Sequence, residues 1–213
     1  MADDMADMDD DVIEAPAEPA GKRERAKAQN RQAILTAAKN VFAELGYEAA
    51  TVRDIIRGTD LASGTFYNYF RSKEEVFEAL ADDSARRFKP ILHDIRERSQ
   101  SFDEYVFSSL LAFFHFLVED YADEGRPVSE RRPHMRADTP EMIAVYEEIR
   151  ASLEQAIARG MAPPHDADYL ACACIGIAQE VGGAMLRRAP RDVEGAARFC
   201  TGLILDGLNG ARR

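Results

Sequence analysis

A chain of 213 residues with 46% hydrophobic and 31% charged residues has the composition of one large folded domain, or of a small domain and a larger one. It shows no uninterrupted apolar stretch of bilayer length, and its acidic N-terminus lacks the basic and apolar regions of a secretory signal. Its three cysteines are too few and too odd in number for a disulfide framework, and a reducing cytoplasm is the compartment they suggest.

The net charge of −11 is unevenly spread. Residues 1–20 carry eight Asp/Glu and no Lys/Arg, residues 21–75 ten Lys/Arg against seven Asp/Glu, and residues 76–213 seventeen against twenty-three. One basic segment therefore lies between acidic neighbours. Affinity for phosphate follows the local field, because charges are screened beyond about 8 Å at physiological salt. The leading segment reads as a disordered acidic tail.

In chain order, Ile34, Ala37, Ala38, Val41, Phe42 and Leu45 recur at three- and four-residue spacing, which makes one apolar helix face. Gly46 stands where such a helix ends. Thr51-Val52-Arg53-Asp54 fits a capping box and starts a short helix after Thr51. A turn at Gly58-Thr59-Asp60 leads into a second short helix over 63–69, and Ser72-Lys73-Glu74-Glu75 opens a long one in which Pro90 predicts a bend. Further helices are predicted over 102–121, from Thr139-Pro140-Glu141 to about Gly160, from Asp166 to about Arg188, and from beyond Pro190 to about Asn209. Residues 122–138 read as irregular. No strand-like alternation persists, so the fold class is all-α with about nine helices.

Two short helices joined by a tight turn behind a longer bracing helix are the elements of a helix-turn-helix. The second must enter the major groove of double-stranded DNA. Ser63, Gly64 and Thr65 permit close approach to base edges, and Asn68 offers both donor and acceptor. Tyr67 and Tyr69 reach phosphate with packed rings, and Phe66 and Phe70 hold the helix in a small core. Lys73 lies at a helix start, where its charge and the backbone amides attract phosphate. Arg23, Arg25, Lys27 and Arg31 read either as an arm along DNA or as a solvated basic stretch.

These residues, together with Gly46-Tyr47-Glu48, resemble the N-terminal domain of the tetracycline-repressor (TetR) family over residues 30–77. The resemblance implies an N-terminal three-helix DNA-binding domain over 21–75 and a helical ligand-binding and dimerisation domain over 76–213. It places Thr51, Thr65, Tyr67, Tyr69 and Lys73 at the DNA backbone, and Ser63, Gly64, Thr65 and Asn68 at the bases. Ala62-Ser63 departs from the family pattern, which often has a Ser cap followed by a Lys. Thr59-Asp60 departs from the Ala-Gly often found before the recognition helix.

The aromatic run over 102–121 reads either as core or as the wall of an apolar cavity. The resemblance favours a cavity lined by Phe107, Phe113 and Phe114 and faced by Met142 and Tyr146. The last two helices are rich in small residues and carry Ile175, Val181, Leu203 and Ile204, an apolar surface suited to a twofold four-helix interface. Cys172 and Cys174 point to nearly opposite sides of a helix, and the four histidines show no metal-ligand spacing, so neither a metal nor another cofactor is expected. No phosphate loop, nucleophile elbow or supported carboxylate pair is present in the sequence. The expected protein is a cytoplasmic, homodimeric repressor of a palindromic operator, released by an unknown small effector, with no membrane partner. The alternatives are an activator or global regulator without an effector, and a helical enzyme or carrier with a relic DNA-binding domain.

Overall fold

The structure, a computed structural model, describes residues 20–121 and 139–210. The acidic tail and the irregular segment expected over 122–138 lie outside the described residues, apart from Ala20. Eight helices and no strand are found among the described residues, where about nine helices were expected.

Helix α1 spans Ala20–Leu45 and begins five residues before Arg25, the first residue expected to be helical. Residues 21–29 are exposed, so the basic residues there form a solvated helix rather than an extended arm. The second half of α1 buries Ile34, Leu35, Ala37 and Ala38. Gly46 stops it with φ 76°, in the left-handed region that favours glycine, and its N–H donates to the carbonyl of Phe42 at 3.1 Å.

Helices α2 (Val52–Arg57) and α3 (Ser63–Tyr67) have six and five residues. Helices this short are unstable in isolation and persist by packing. Ile55, Phe66 and Phe70 close a core with the α1 residues and with Val76 of α4 (Lys73–Arg98). Burying each such side chain contributes about 1.5–3 kcal/mol. At Gly58 the backbone of the α2–α3 turn comes so close to α1 that a Cβ would sit 3.2 Å from Ala37 Cβ.

Helix α4 joins this core to a second one and runs unbroken through Pro90. Its Ser72 cap accepts from the Glu75 N–H at 3.4 Å, while the Glu75 carboxylate accepts from the Arg71 N–H at 2.7 Å. Glu75 thus reaches one residue further back than a reciprocal capping box requires. Helix α5 (Phe102–Tyr121) packs on α4, α7 and α8; α6 (Pro140–Ala158) packs on α4 and α7. Helix α6 starts at the Thr139 cap with Pro140 in its first turn, and Asp166 caps α7 (Ala167–Leu186). Helix α8 (Val193–Gly210) closes the bundle.

The second core is built from α5, α6, α7 and α8, with Phe102, Leu110, Phe114, Leu153 and Ile204 among its buried members. Helix α7 comes close to α5 at Gly182, where a Cβ would lie 2.6 Å from Leu117 Cδ1. Helix α7 is by length and composition apolar enough to cross a membrane, with a mean hydropathy of 1.4. Asp168 and Glu180 interrupt its apolar run. In the fold it packs against α5, α6 and α8.

Candidate nucleic-acid interface

The site is built on α2 and α3. Thr51 caps α2: its Oγ1 accepts from the Asp54 N–H at 3.3 Å, and Asp54 Oδ2 accepts from the Thr51 N–H at 3.0 Å. These bonds, first the one from the Thr51 hydroxyl, hold the Asp54 carboxyl below its ordinary value. Thr51 remains exposed, so capping and phosphate contact are compatible there.

Helix α3 has no side-chain cap, because Ala62 occupies that position. Its first bonds run from the Thr65 and Phe66 N–H groups to the Ala62 carbonyl at 2.8 and 3.4 Å. It ends at Tyr67, two residues before the expected Tyr69. The geometry then separates the two jobs of this segment. Phe66 and Phe70 are buried, with ring centroids 6.2 Å apart. Ser63, Gly64, Tyr67 and Asn68 are by contrast all exposed, Tyr67 by 59%. A Cβ built on Gly64 meets no atom within 4 Å. The polar residues expected to face DNA are therefore open to contact on a rigid base.

Thr65 and Tyr69 are half-buried beside that face. The Tyr69 hydroxyl accepts from Asn30 Nδ2 of α1 at 3.3 Å and keeps its own proton for another acceptor.

Lys73 is placed differently from the expectation. Its Nζ donates to the carbonyls of Tyr47, Glu48 and Ala50 at 2.9, 3.3 and 3.2 Å, and lies 4.5 Å from the Tyr47 ring centre. All three N–H groups are used, so none is left for a phosphate. Lys73 instead braces the turn between α1 and α2. Tyr47, buried there, donates to Glu74 Oε1 at 3.1 Å. Burial first, and then the Glu74 carboxylate, push the Tyr47 phenol up to about 12.

Among the described residues, those expected to line a ligand cavity have different neighbours. Phe114 is fully buried. Phe113 packs on Phe88 and Phe114 at centroid distances of 5.5 and 5.9 Å. Phe107 lies under the Arg198 guanidinium at 5.4 Å. Tyr146, half-buried like Met142, donates to Asp168 Oδ1 at 3.2 Å. A small cleft between α4, α5 and α6 is lined by other residues, including Arg96, Tyr105, Ser152, Gln155 and Arg159.

On the last two helices, Ile204 is buried within the protomer core, which removes it from the expected pairing surface. Ile175 and Val181 are half-buried, and Leu203 is exposed by 51%. Sequence reasoning missed Phe199, exposed by 61%. The signal was available: Phe199 and Leu203 are four apart, off the stripe of Ala197, Cys200, Ile204 and Leu208 that packs inward. Burial pushes the Cys174 and Cys200 thiols up to about 11, as for inert core cysteines.

A family profile described as "Bacterial regulatory proteins, tetR family" matches residues 34–80. The HTH-type transcriptional repressor AcnR of Corynebacterium glutamicum is 40% identical over 65 residues, which cover 30% of this chain and 35% of its own. The HTH-type transcriptional repressor KstR2 of Mycolicibacterium smegmatis is 28% identical over 123 residues, which cover 55% of this chain and 56% of its own. The chain thus spans about a third of the length of the first relative and about half of the second. The transcriptional regulator FadR of Bacillus subtilis, solved in complex with stearoyl-CoA, superposes with a TM-score of 0.65 at 18% identity, covering 83% of this chain and 98% of its own, and so shares the fold. Over residues 34–80, the chain is thus similar to the tetR family of bacterial regulatory proteins.

Proposed function

We propose that the protein is a cytoplasmic transcription repressor that binds a palindromic operator as a homodimer and is released by a small apolar or aromatic effector. The observation that carries this reading is the α3 surface. Ser63, Gly64, Tyr67 and Asn68 stand exposed, while Phe66 and Phe70 lock the segment into a core. A helix with no room to deform and a polar, Cβ-poor leading edge fits the major groove. Thr51 and Tyr69 flank it as phosphate contacts. The names of AcnR and KstR2 as repressors support the direction of control.

Pairing through α7 and α8 is supported by exposed Phe199 and Leu203, and by Gly176, Gly202 and Gly207, where a Cβ would meet nothing within 4 Å in the protomer. Two half-sites engaged together give a short motif its affinity, and the fixed spacing of the recognition helices makes binding sensitive to a shift of α4. An effector acts by binding better to a conformation with the wrong spacing. The stearoyl-CoA of the Bacillus subtilis structure is a reason to include acyl thioesters in the effector screen.

The test is a footprint of the purified protein on DNA upstream of its own gene and on sequences selected from a random pool, beside Tyr67→Ala. The expected result is a symmetric protected site, lost in the variant. Protection by neither protein on any DNA would sink the reading. A second reading, a regulator without an effector, is favoured by the full burial of Phe114 against Phe113. Operator affinity unchanged across an effector screen, with occupancy at many genomic sites, would select it.

A further inference from the structure

The two cores share no buried residue, and neither combines residues of α1 with residues of α5. A polar cluster joins α1 to α5. Asp120, one residue from the end of α5, is 6% exposed at its side chain. Lys39 of α1 donates to its Oδ1 at 2.8 Å. From α4, Arg87 donates to the same oxygen at 2.5 Å and Ser84 to Oδ2 at 3.4 Å. The Arg87 guanidinium also lies 4.9 Å from the ring centre of Phe116, one turn before Asp120.

Two physical points make this cluster more than a stabilising pair. A carboxylate near a helix C-terminus faces the negative end of the helix dipole, so Asp120 is tolerable only with its cations in place. Buried ion pairs also stabilise no better than well-packed apolar groups, whereas they fix geometry through directional bonds. The mechanical situation fits the second role. The α1 core is joined to the bundle through α4, and one connecting helix leaves bending and rotation free. A tie from α1 to α5, off the α4 axis, removes that freedom.

We infer that Asp120 is a positioning residue for operator binding: through Lys39 on one side and Arg87 and Ser84 on the other, it sets where α1, with α2 and α3 packed on it, stands relative to α5. The inference rests on the DNA-binding reading above and adds to it the place where that domain is coupled to the bundle. A displacement of the C-terminal end of α5 moves the carboxylate and with it the Lys39 end of α1, without any contact between a ligand and the DNA-reading helix.

The experiment compares the wild type, Asp120→Asn, Lys39→Met and the double variant on selected operator DNA across a range of salt, with helix content checked by circular dichroism. Each single variant is expected to bind about tenfold more weakly, and the double variant no more weakly than the worse single one. The slope of affinity against salt stays at the wild-type value, because no phosphate contact is lost. If Asp120→Asn binds as tightly as wild type or more tightly, or if Lys39→Met lowers the salt slope by about one, Lys39 is a phosphate ligand and the inference is wrong. Independent, additive effects overturn it as well. Should Asp120→Asn not fold, Lys39→Met alone decides by the same slope. If even the wild type selects no DNA, the DNA-binding reading has failed, and the positioning role is read without DNA. Fluorophores introduced at exposed Ser63 and Glu154, with labelled protein diluted into unlabelled, should then give a distance distribution that broadens in both single variants. An unbroadened distribution overturns the inference.

Discussion

The Nζ of Lys73 lies 2.9 Å from the carbonyl oxygen of Tyr47 and 4.5 Å from the centre of the same residue's ring. One ammonium thus closes the α1–α2 turn from below and packs against an aromatic of the core. Lys73→Met keeps the stem and removes the donors. It leaves three carbonyls without this partner and is expected to lower stability by about 1–3 kcal/mol, read from urea unfolding. The salt slope of DNA binding is expected to stay unchanged. A slope lower by about one would restore Lys73 as a phosphate contact.

At Gly64, folding and the proposed recognition of DNA can be tested apart. A Cβ there meets nothing within 4 Å, and the position is helical, so Gly64→Ala is expected to leave stability unchanged or raise it by up to about 1 kcal/mol. The same methyl stands on the face proposed to enter the groove. Operator affinity is expected to fall by tenfold or more, on the order of 1.4 kcal/mol. Thermal unfolding and fluorescence anisotropy on one sample check both halves, and unaltered affinity would take Gly64 off the DNA surface.

Phe199 and Leu203 are exposed by 61% and 51% on one side of α8. Phe199→Glu places a charge there without touching the inward stripe. Sedimentation is expected to show a shift from dimer to monomer, with helix content preserved and operator affinity reduced. A variant that stays dimeric would move the pairing surface elsewhere.

The pH dependence of stability has a definite sign at Asp120. Burial alone would raise its carboxyl, but the bonds and charges of Lys39 and Arg87 outweigh it and hold the folded value below the ordinary 3.8. A depressed folded value gives stability that is fully present above the unfolded value and is lost as pH falls through the folded one. At neutral pH, Asp120→Asn is therefore expected to be less stable than wild type by about 1–2 kcal/mol, since Lys39 and Arg87, both partly exposed, lose a buried carboxylate while Arg87 keeps Asp83. The difference should shrink as pH falls below the ordinary 3.8 towards the depressed folded value. Unfolding midpoints from pH 7 to pH 3 test this; a gap that widens on acidification would contradict the assignment.

Much of this molecule is written in short stretches of sequence. The caps at Thr51, Ser72, Thr139 and Asp166 bond to amides two or three residues away, so the starts of α2, α4, α6 and α7 follow from neighbours alone. Gly46 marks the end of α1 in the same way. The four-residue spacing of Phe66 and Phe70 marks the inward side of the proposed DNA-reading segment before any fold is known. Other features depend on partners far along the chain. Lys73 looks like a surface cation until the packing of α1 against α4 brings Tyr47, 26 residues away, to its ammonium. Asp120 and Lys39 are 81 residues apart, and nothing local to either identifies the other. Ile204 and Leu203 are adjacent and equally apolar, yet one is core and the other surface. Local hydrogen bonding and helical period act over a few residues and can be read from order alone. Which of two apolar faces turns inward, and which charge meets which, is settled only when several helices bury their surfaces together.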